Sequence, residues 1–115
     1  RYNGYNGFHL DLMCSYSTFD RNDASNNGLD GYLLNQCGFA TMTNNTAKYN
    51  NKNGFELYNN VDNSTLIGNL AENNTLSGFR IYAGVEYNIV VGNTASNNGE
   101  DGFHMQQAVE YGRFT

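Results

Sequence analysis

The chain has 115 residues and a formal net charge of −5, and only 15% of its residues are ionisable. A surface so sparsely and mildly acidic lacks the basic footprint of a nucleic-acid or anionic-membrane binder, and no apolar run is long enough to span a bilayer. Asparagine and glycine are abundant and proline and tryptophan absent, which resembles a low-complexity polar segment, yet the apolar residues keep a register that a disordered chain has no reason to keep.

The first predicted element is the step Gly7-Phe8-His9-Leu10, and it returns as Gly31-Tyr32-Leu33-Leu34, Gly54-Phe55-Glu56-Leu57, Gly78-Phe79-Arg80-Ile81 and Gly102-Phe103-His104-Met105. Successive glycines lie 24, 23, 24 and 24 residues apart, a period that marks one turn of a stacked array. Apolar residues alternate with polar or variable ones, the pattern of a half-buried strand. A second short apolar step is expected at Cys14, Cys37, Val61, Val85 and Val109, and a third at Phe19, Met42, Leu66, Val90 and Phe114. Between the steps run two asparagine columns, Asn22, Asn45, Asn69, Asn93 and Asn27, Asn50, Asn74, Asn98, flanking the alanines Ala24, Ala47, Ala71 and Ala95.

Three short strands per repeat, joined by Asn- and Gly-rich corners, describe an all-β solenoid: a parallel β-helix of about five coils of 23–24 residues spanning 1–115 as one continuous segment. Stacked asparagines at the corners predict hydrogen-bonded ladders, each amide serving its own corner's backbone and its counterpart one coil away. Glycine before each aromatic predicts unusual torsion or close approach. The repeats begin and end without a polar helix or aberrant coil. The expectation is therefore a piece of a longer solenoid, its ends met by adjacent coils or other copies of the chain.

Cys14 and Cys37 fall in one core column, where they read as small buried hydrophobes. A disulfide between directly stacked strands has awkward side-chain vectors, and the two thiols with Met13 and Met42 lack the His or Asp that would complete a metal site. No metal site is assigned and no cofactor is required; Ca2+ is compatible with the chain, but no residue pattern points to it. The sequons at Asn44, Asn63 and Asn73 fit an exported protein but arise readily in an Asn/Thr-rich sequence.

If the aromatic and aliphatic columns point inward, the other residues of the first strand point outward. That face carries His9 and Asp11, Leu33 and Asn35, Glu56 and Tyr58, Arg80 and Tyr82, His104 and Gln106, with Asp30, Asn53 and Asp101 at its edge. Tyrosine rings stack on sugar faces, and Arg, Glu, Asn and Gln hydrogen-bond hydroxyls or carboxylates. Asn35, Glu56, Tyr58, Tyr82 and Gln106 are therefore candidate polysaccharide-binding residues. His9, Asp11, Arg80 and His104 are candidate catalytic residues. His9 and Asp11 could act as an acid/base pair, and Glu56 could pair with Arg80 one coil on. A plain solvated sheet face is the competing reading. No regular threonine array is visible, which sets an ice-binding solenoid aside.

Segments such as Asn26-Asn27-Gly28-Leu29-Asp30-Gly31-Tyr32 and Asn93-Thr94-Ala95-Ser96-Asn97-Asn98-Gly99-Glu100-Asp101-Gly102-Phe103 resemble right-handed parallel β-helices of the carbohydrate-binding and sugar-hydrolase type, including NosD-like repeat proteins and mannuronan C5-epimerases. The resemblance covers about 7–105 and implies right-handed coils and a secreted or cell-surface protein that binds or acts on polysaccharide, uronate-rich in the epimerase case. An epimerase or lyase would abstract a proton beside a uronate carboxylate, with Arg80 neutralising the carboxylate and His9 or His104 exchanging protons. The epimerases' catalytic strand reads Tyr-Gly-Phe-Asp-Pro-His. Here the stretch is Asn6-Gly7-Phe8-His9-Leu10-Asp11, and their second histidine is Asn53, so the catalytic set is not matched. The alternative expectation is a non-catalytic structural solenoid: a surface layer, fibre or adhesin stalk.

Overall fold

The computed structural model describes residues 3–12, 15–82 and 86–106 and the backbone of 113–114. Strands are numbered in chain order. The first sheet holds β1 (Phe8–Asp11), β3 (Tyr32–Asn35), β6 (Phe55–Tyr58), β9 (Phe79–Tyr82) and β12 (Phe103–Gln106), paired in that order and all parallel. These are the five glycine-aromatic steps, with Phe8, Tyr32, Phe55, Phe79 and Phe103 in register. Their rings stack at 4.7–5.0 Å with interplanar angles of 2–4°, the separation that the strand spacing imposes on like residues. Tyr32 is the one phenol in this column, and its hydroxyl donates to the Asn22 carbonyl at 2.9 Å.

The second sheet pairs β2 (Thr18–Asp20), β4 (Thr41–Thr43), β7 (Thr65–Ile67), β10 (Ile89–Val91) and β13 (Arg113–Phe114), with Phe19, Met42, Leu66 and Val90 pointing into the core. The third sheet is β5 (Thr46–Lys48), β8 (Leu70–Glu72) and β11 (Thr94–Ser96), centred on the alanines. Three strands per coil are thus present, but one sits elsewhere than expected. The Cys/Val step forms no strand: Cys37 and Val61 are lone buried residues in the passage from the first sheet to the second. Left-handed torsions flank them, at Gln36 and Phe39 in one coil and at Asn59, Asn60 and Asn63 in the next, and these break the extended run that a ladder needs. Met13, Cys14, Val85 and Val109 lie outside the described residues, so the cysteine pairing does too. The Cys37 thiol donates to the Asn35 carbonyl at 3.2 Å.

A second difference concerns threonine. In-register pairing aligns Thr18, Thr41 and Thr65 on the outer face of the second sheet, with Thr43 beside them. The row is short, giving way to Ile67, Ile89 and Val91; only the strand boundaries reveal it.

Both asparagine columns are ladders. Asn50 Oδ1 accepts from the backbone N–H and the Nδ2 of Asn27 at 3.0 and 2.9 Å, while Asn50 Nδ2 donates to Asn74 Oδ1 and to the Ala24 carbonyl at 2.9 and 3.0 Å. Asn74 and Asn98 repeat the arrangement, as do Asn45, Asn69 and Asn93 in the other column. Most of the backbone groups served belong to neighbouring coils, though Asn93 Nδ2 also reaches the Val91 carbonyl of its own corner, and the inner amides of Asn45, Asn50, Asn69 and Asn74 each tie three coils together.

Candidate functional site

A third column of polar residues runs just before the glycines, with the opposite polarity. Asp30 N–H donates to Asn6 Oδ1, Asn53 N–H to Asp30 Oδ1, and Ser77 N–H to Asn53 Oδ1, at 2.9, 2.9 and 3.0 Å. Asn53 Nδ2 also donates to Asp30 Oδ1 at 3.0 Å and to Glu56 Oε2 at 3.3 Å. An acid at the Asp30 position offers an oxygen where asparagine would offer N–H donors. That group lies beside Glu56: Asp30 Oδ1 and Glu56 Oε2 both accept from Asn53 Nδ2, which sets the two carboxyls side by side.

Asp30 and Glu56 are only 1% and 5% exposed. Burial, and then the negative charge of Glu56, push the Asp30 carboxyl from 3.8 up to about 6, against the opposing pull of its hydrogen bonds from Asn53. Asp30 therefore holds its proton in mild acid, beside a second carboxyl. Around it, the Tyr82 hydroxyl donates to Glu56 Oε1 at 3.0 Å, and an Arg80 guanidinium nitrogen lies 3.9 Å from the same oxygen. Arg80 Cζ sits 4.6 Å from the Tyr82 ring centroid, and Tyr82 stacks on Tyr58 at 5.4 Å and 11°. Burial and then the Glu56 charge push the Tyr82 phenol up to about 12, so it remains a hydrogen-bond donor at neutral pH.

These groups border an open concavity of about 180 Å³ lined by Asn6, Leu29, Asp30, Leu33, Lys52, Glu56, Tyr58 and Tyr82. Leu33 is the one aliphatic residue in its outward column. Being shorter than an Arg and unable to hydrogen-bond its neighbours, it leaves the space open. Tyr58 turns one face to Tyr82 and leaves the other toward the strand of Asn35.

The structure thus brings Glu56, Tyr58, Arg80 and Tyr82 into one cluster. Tyr82 is no free stacking platform, since Tyr58 and Arg80 cover it. Asn35 lies one strand away, donating to Asp11 Oδ1 at 2.6 Å and accepting from Asn59 at 3.1 Å. The candidate catalytic residues are dispersed. His9 and Asp11 lie 4.0 Å apart on β1, both well exposed, whereas Arg80 is three strands further on, about 14 Å at normal strand spacing. His104 is Arg80's register partner; its Nδ1 lies 2.8 Å from Asp101 Oδ2 and its Nε2 lies 3.3 Å from Gln106 Oε1. Sequence reasoning passed over Asp30 as a partner of Glu56, and Lys52 and Leu29 as lining. The available signal was the acid Asp30 between Asn6 and Asn53, in a column that continues with Ser77 and Asp101.

The acid pair has a consequence for stability. Below about pH 3, Asp30 is protonated both folded and unfolded, and the contribution of its raised pKa is fully present. As pH rises through about 6 the unfolded chain has already lost the proton and the folded chain must follow, at a cost on the order of 2–3 kcal/mol. Asp30→Asn keeps the Oδ1 acceptor and supplies a neutral donor toward Glu56. Urea denaturation of both proteins should show the variant gaining on the wild type by about 2 kcal/mol between pH 4.5 and 7; a gap that does not change with pH would count against a raised Asp30 carboxyl.

Residues 1–95 match the family model described as the right-handed β-helix region. With parallel three-strand coils and corner ladders in place, the chain belongs to that family. No curated protein and no solved structure matches it.

Proposed function

We propose that the first-sheet concavity binds a polysaccharide and that the chain is a section of an extracellular, carbohydrate-binding β-helix. The observation that supports this reading most is the combination in one small concavity of the half-exposed Tyr58 ring, the aliphatic Leu33, two carboxyls and the ammonium of Lys52. Apolar sugar faces need the first two, and hydroxyls and charged substituents need the others. The space suits a single sugar ring, with the rest of a chain running along the roughly 20 Å face of five strands.

The likeness to NosD-like proteins and uronate epimerases agrees with this substrate class and with a secreted or cell-surface setting. The geometry favours binding over turnover. Arg80, which an epimerase or lyase would aim at a uronate carboxylate, is committed to Glu56 and Tyr82, and His9 and His104 stand at opposite edges of the sheet.

Calorimetric titration with alginate, pectate and neutral glycans tests the proposal. We expect binding to at least one polymer, weakened about tenfold by Tyr58→Ala and further by the double variant with Tyr82→Ala. No binding to any of them, or binding indifferent to both substitutions, rejects it. A structural stalk is the second reading, favoured by ladders that run unbroken through successive coils; end-to-end filaments in electron micrographs would support it.

A further inference from the structure

We propose that the Asp30–Glu56 carboxyl pair gates the concavity by charge, admitting a uronate-bearing chain in mild acid and disfavouring it at neutral pH. This rests on the polysaccharide reading above and assigns that site both a sugar class and a regulator.

Four charged or chargeable groups meet at the concavity. Glu56 is offset by Arg80 at 3.9 Å. Asp30, which shares the Asn53 Nδ2 donor with Glu56 and is nearly fully buried, is the member whose carboxyl is pushed up, by burial first and then by the Glu56 charge. Lys52 reaches the concavity from the preceding corner, exposed. With Asp30 protonated, the Glu56 and Arg80 charges offset each other and the Lys52 ammonium is left to attract an anion. Once Asp30 ionises, it cancels Lys52 and places a negative charge against the same wall that a uronate carboxylate would approach.

Few other groups can interfere. Tyr58 and Tyr82, facing the pair from β6 and β9, both have phenols pushed up, by burial first, and stay neutral across this range. Asn6 and Asn53, above and below Asp30 in its column, do not titrate. On β1, Asp11 and the imidazole of His9 face outward beside Leu33, and on β12 His104 lies beyond Arg80. The two imidazoles are therefore the competing source of any response to acid and must be tested separately. A uronate carboxyl, like any ordinary carboxylic acid, is still largely ionised at pH 5, so the change lies in the protein.

The experiment is calorimetric titration of the whole chain with a uronate polymer (pectate) and with whichever neutral glycan binds, at pH 5 and pH 7.5. One charge at contact range through a partly solvated wall corresponds to about a tenfold change in affinity. Pectate should bind about tenfold more tightly at pH 5, the neutral glycan about equally at both. Asp30→Asn should bind pectate at pH 7.5 as the wild type does at pH 5, and the double variant His9→Gln, His104→Gln should keep the wild-type dependence. A pectate affinity that is flat with pH, or a dependence that survives Asp30→Asn or vanishes in the histidine variant, overturns the gate while leaving polysaccharide binding intact. Absence of binding to every glycan at both pH values rejects the binding reading and the gate together. Denaturation curves of each variant, taken beside the titrations, show that it is folded when assayed.

Discussion

Replacing Asn50 with alanine is expected to cost about 4 kcal/mol of folding stability, a large share of what a domain this size commonly has. The side chain is buried and every polar group on it is used. Truncation leaves the Asn27 N–H, the Asn27 side-chain amide and the Ala24 carbonyl without a partner, and each orphaned buried group costs about 1–3 kcal/mol. The backbone bond from Asn51 N–H to the Asn27 carbonyl survives, so coils on either side of the lesion remain connected, and water entry offsets part of the loss. Asn51→Ala, one residue further on and exposed, should change stability by no more than about 0.5 kcal/mol. Urea melts of the two variants side by side decide the matter; equal effects would mean that the ladder is decoration rather than support.

Gly54→Ala is the other large effect, expected at about 3 kcal/mol. The glycines before the aromatics are held there by proximity, not torsion, since left-handed φ values occur at Gly68 and Gly92 but not at these positions. A Cβ on Gly54 would sit 2.7 Å from the Gly78 carbonyl oxygen, 2.8 Å from Ala71 Cβ and 2.9 Å from Asn74 Nδ2. None of these is the tip of a flexible side chain: one is backbone, one a methyl on a packed strand, and one a member of a ladder. Relief requires β6 and β9 to separate, which puts the response at the upper end of ordinary overpacking. At Gly38, the nearest described atom to an added Cβ is the Asp62 carbonyl oxygen at 3.1 Å, so Gly38→Ala should cost about 1 kcal/mol or less. Comparable losses at both sites in thermal or urea unfolding would contradict the packing account.

The sequence made the coil readable because stacking turns a period along the chain into a column in space. Phe8, Tyr32, Phe55, Phe79 and Phe103 share a chemistry because they share a neighbour. The asparagine columns were legible for the same reason. Which short apolar step becomes a strand was not legible. Ala47 and Val61 are both small and buried between left-handed residues, and only the spacing of those torsions separates a strand from a corner: Asn44 and Tyr49 leave 45–48 extended, whereas Asn60 and Asn63 leave only 61–62. The alternation rule correctly turned Glu56 toward the outer face but said nothing of its burial, which comes from Tyr82 and Arg80 one coil on and Asn53 and Asp30 beside it. Asp30 and Glu56 lie a coil apart in the chain and become partners through stacking, which neither residue's local sequence announces. The tyrosines were found by their chemistry, yet the mutual stacking that removes Tyr82 as a sugar platform depends on ring orientation, which composition does not encode.

The passage between the first and second sheets differs in length from coil to coil. It holds Gln36 as its one left-handed residue before Cys37, but both Asn59 and Asn60 before Val61, and this accounts for the single 23-residue repeat among those of 24. Only scattered coil-to-coil bonds cross it, such as those from the Gln36 N–H to the Tyr58 carbonyl and from the Phe39 N–H to the Asp62 carbonyl, so a residue can be gained or lost there without shifting the register of any sheet. That corner is the expansion joint of the solenoid. It lies directly beyond Asn35 and Tyr58, so added length there would rise beside the concavity as a wall. New specificity could then be built on this scaffold while the aromatic core and the asparagine ladders beneath stay as they are.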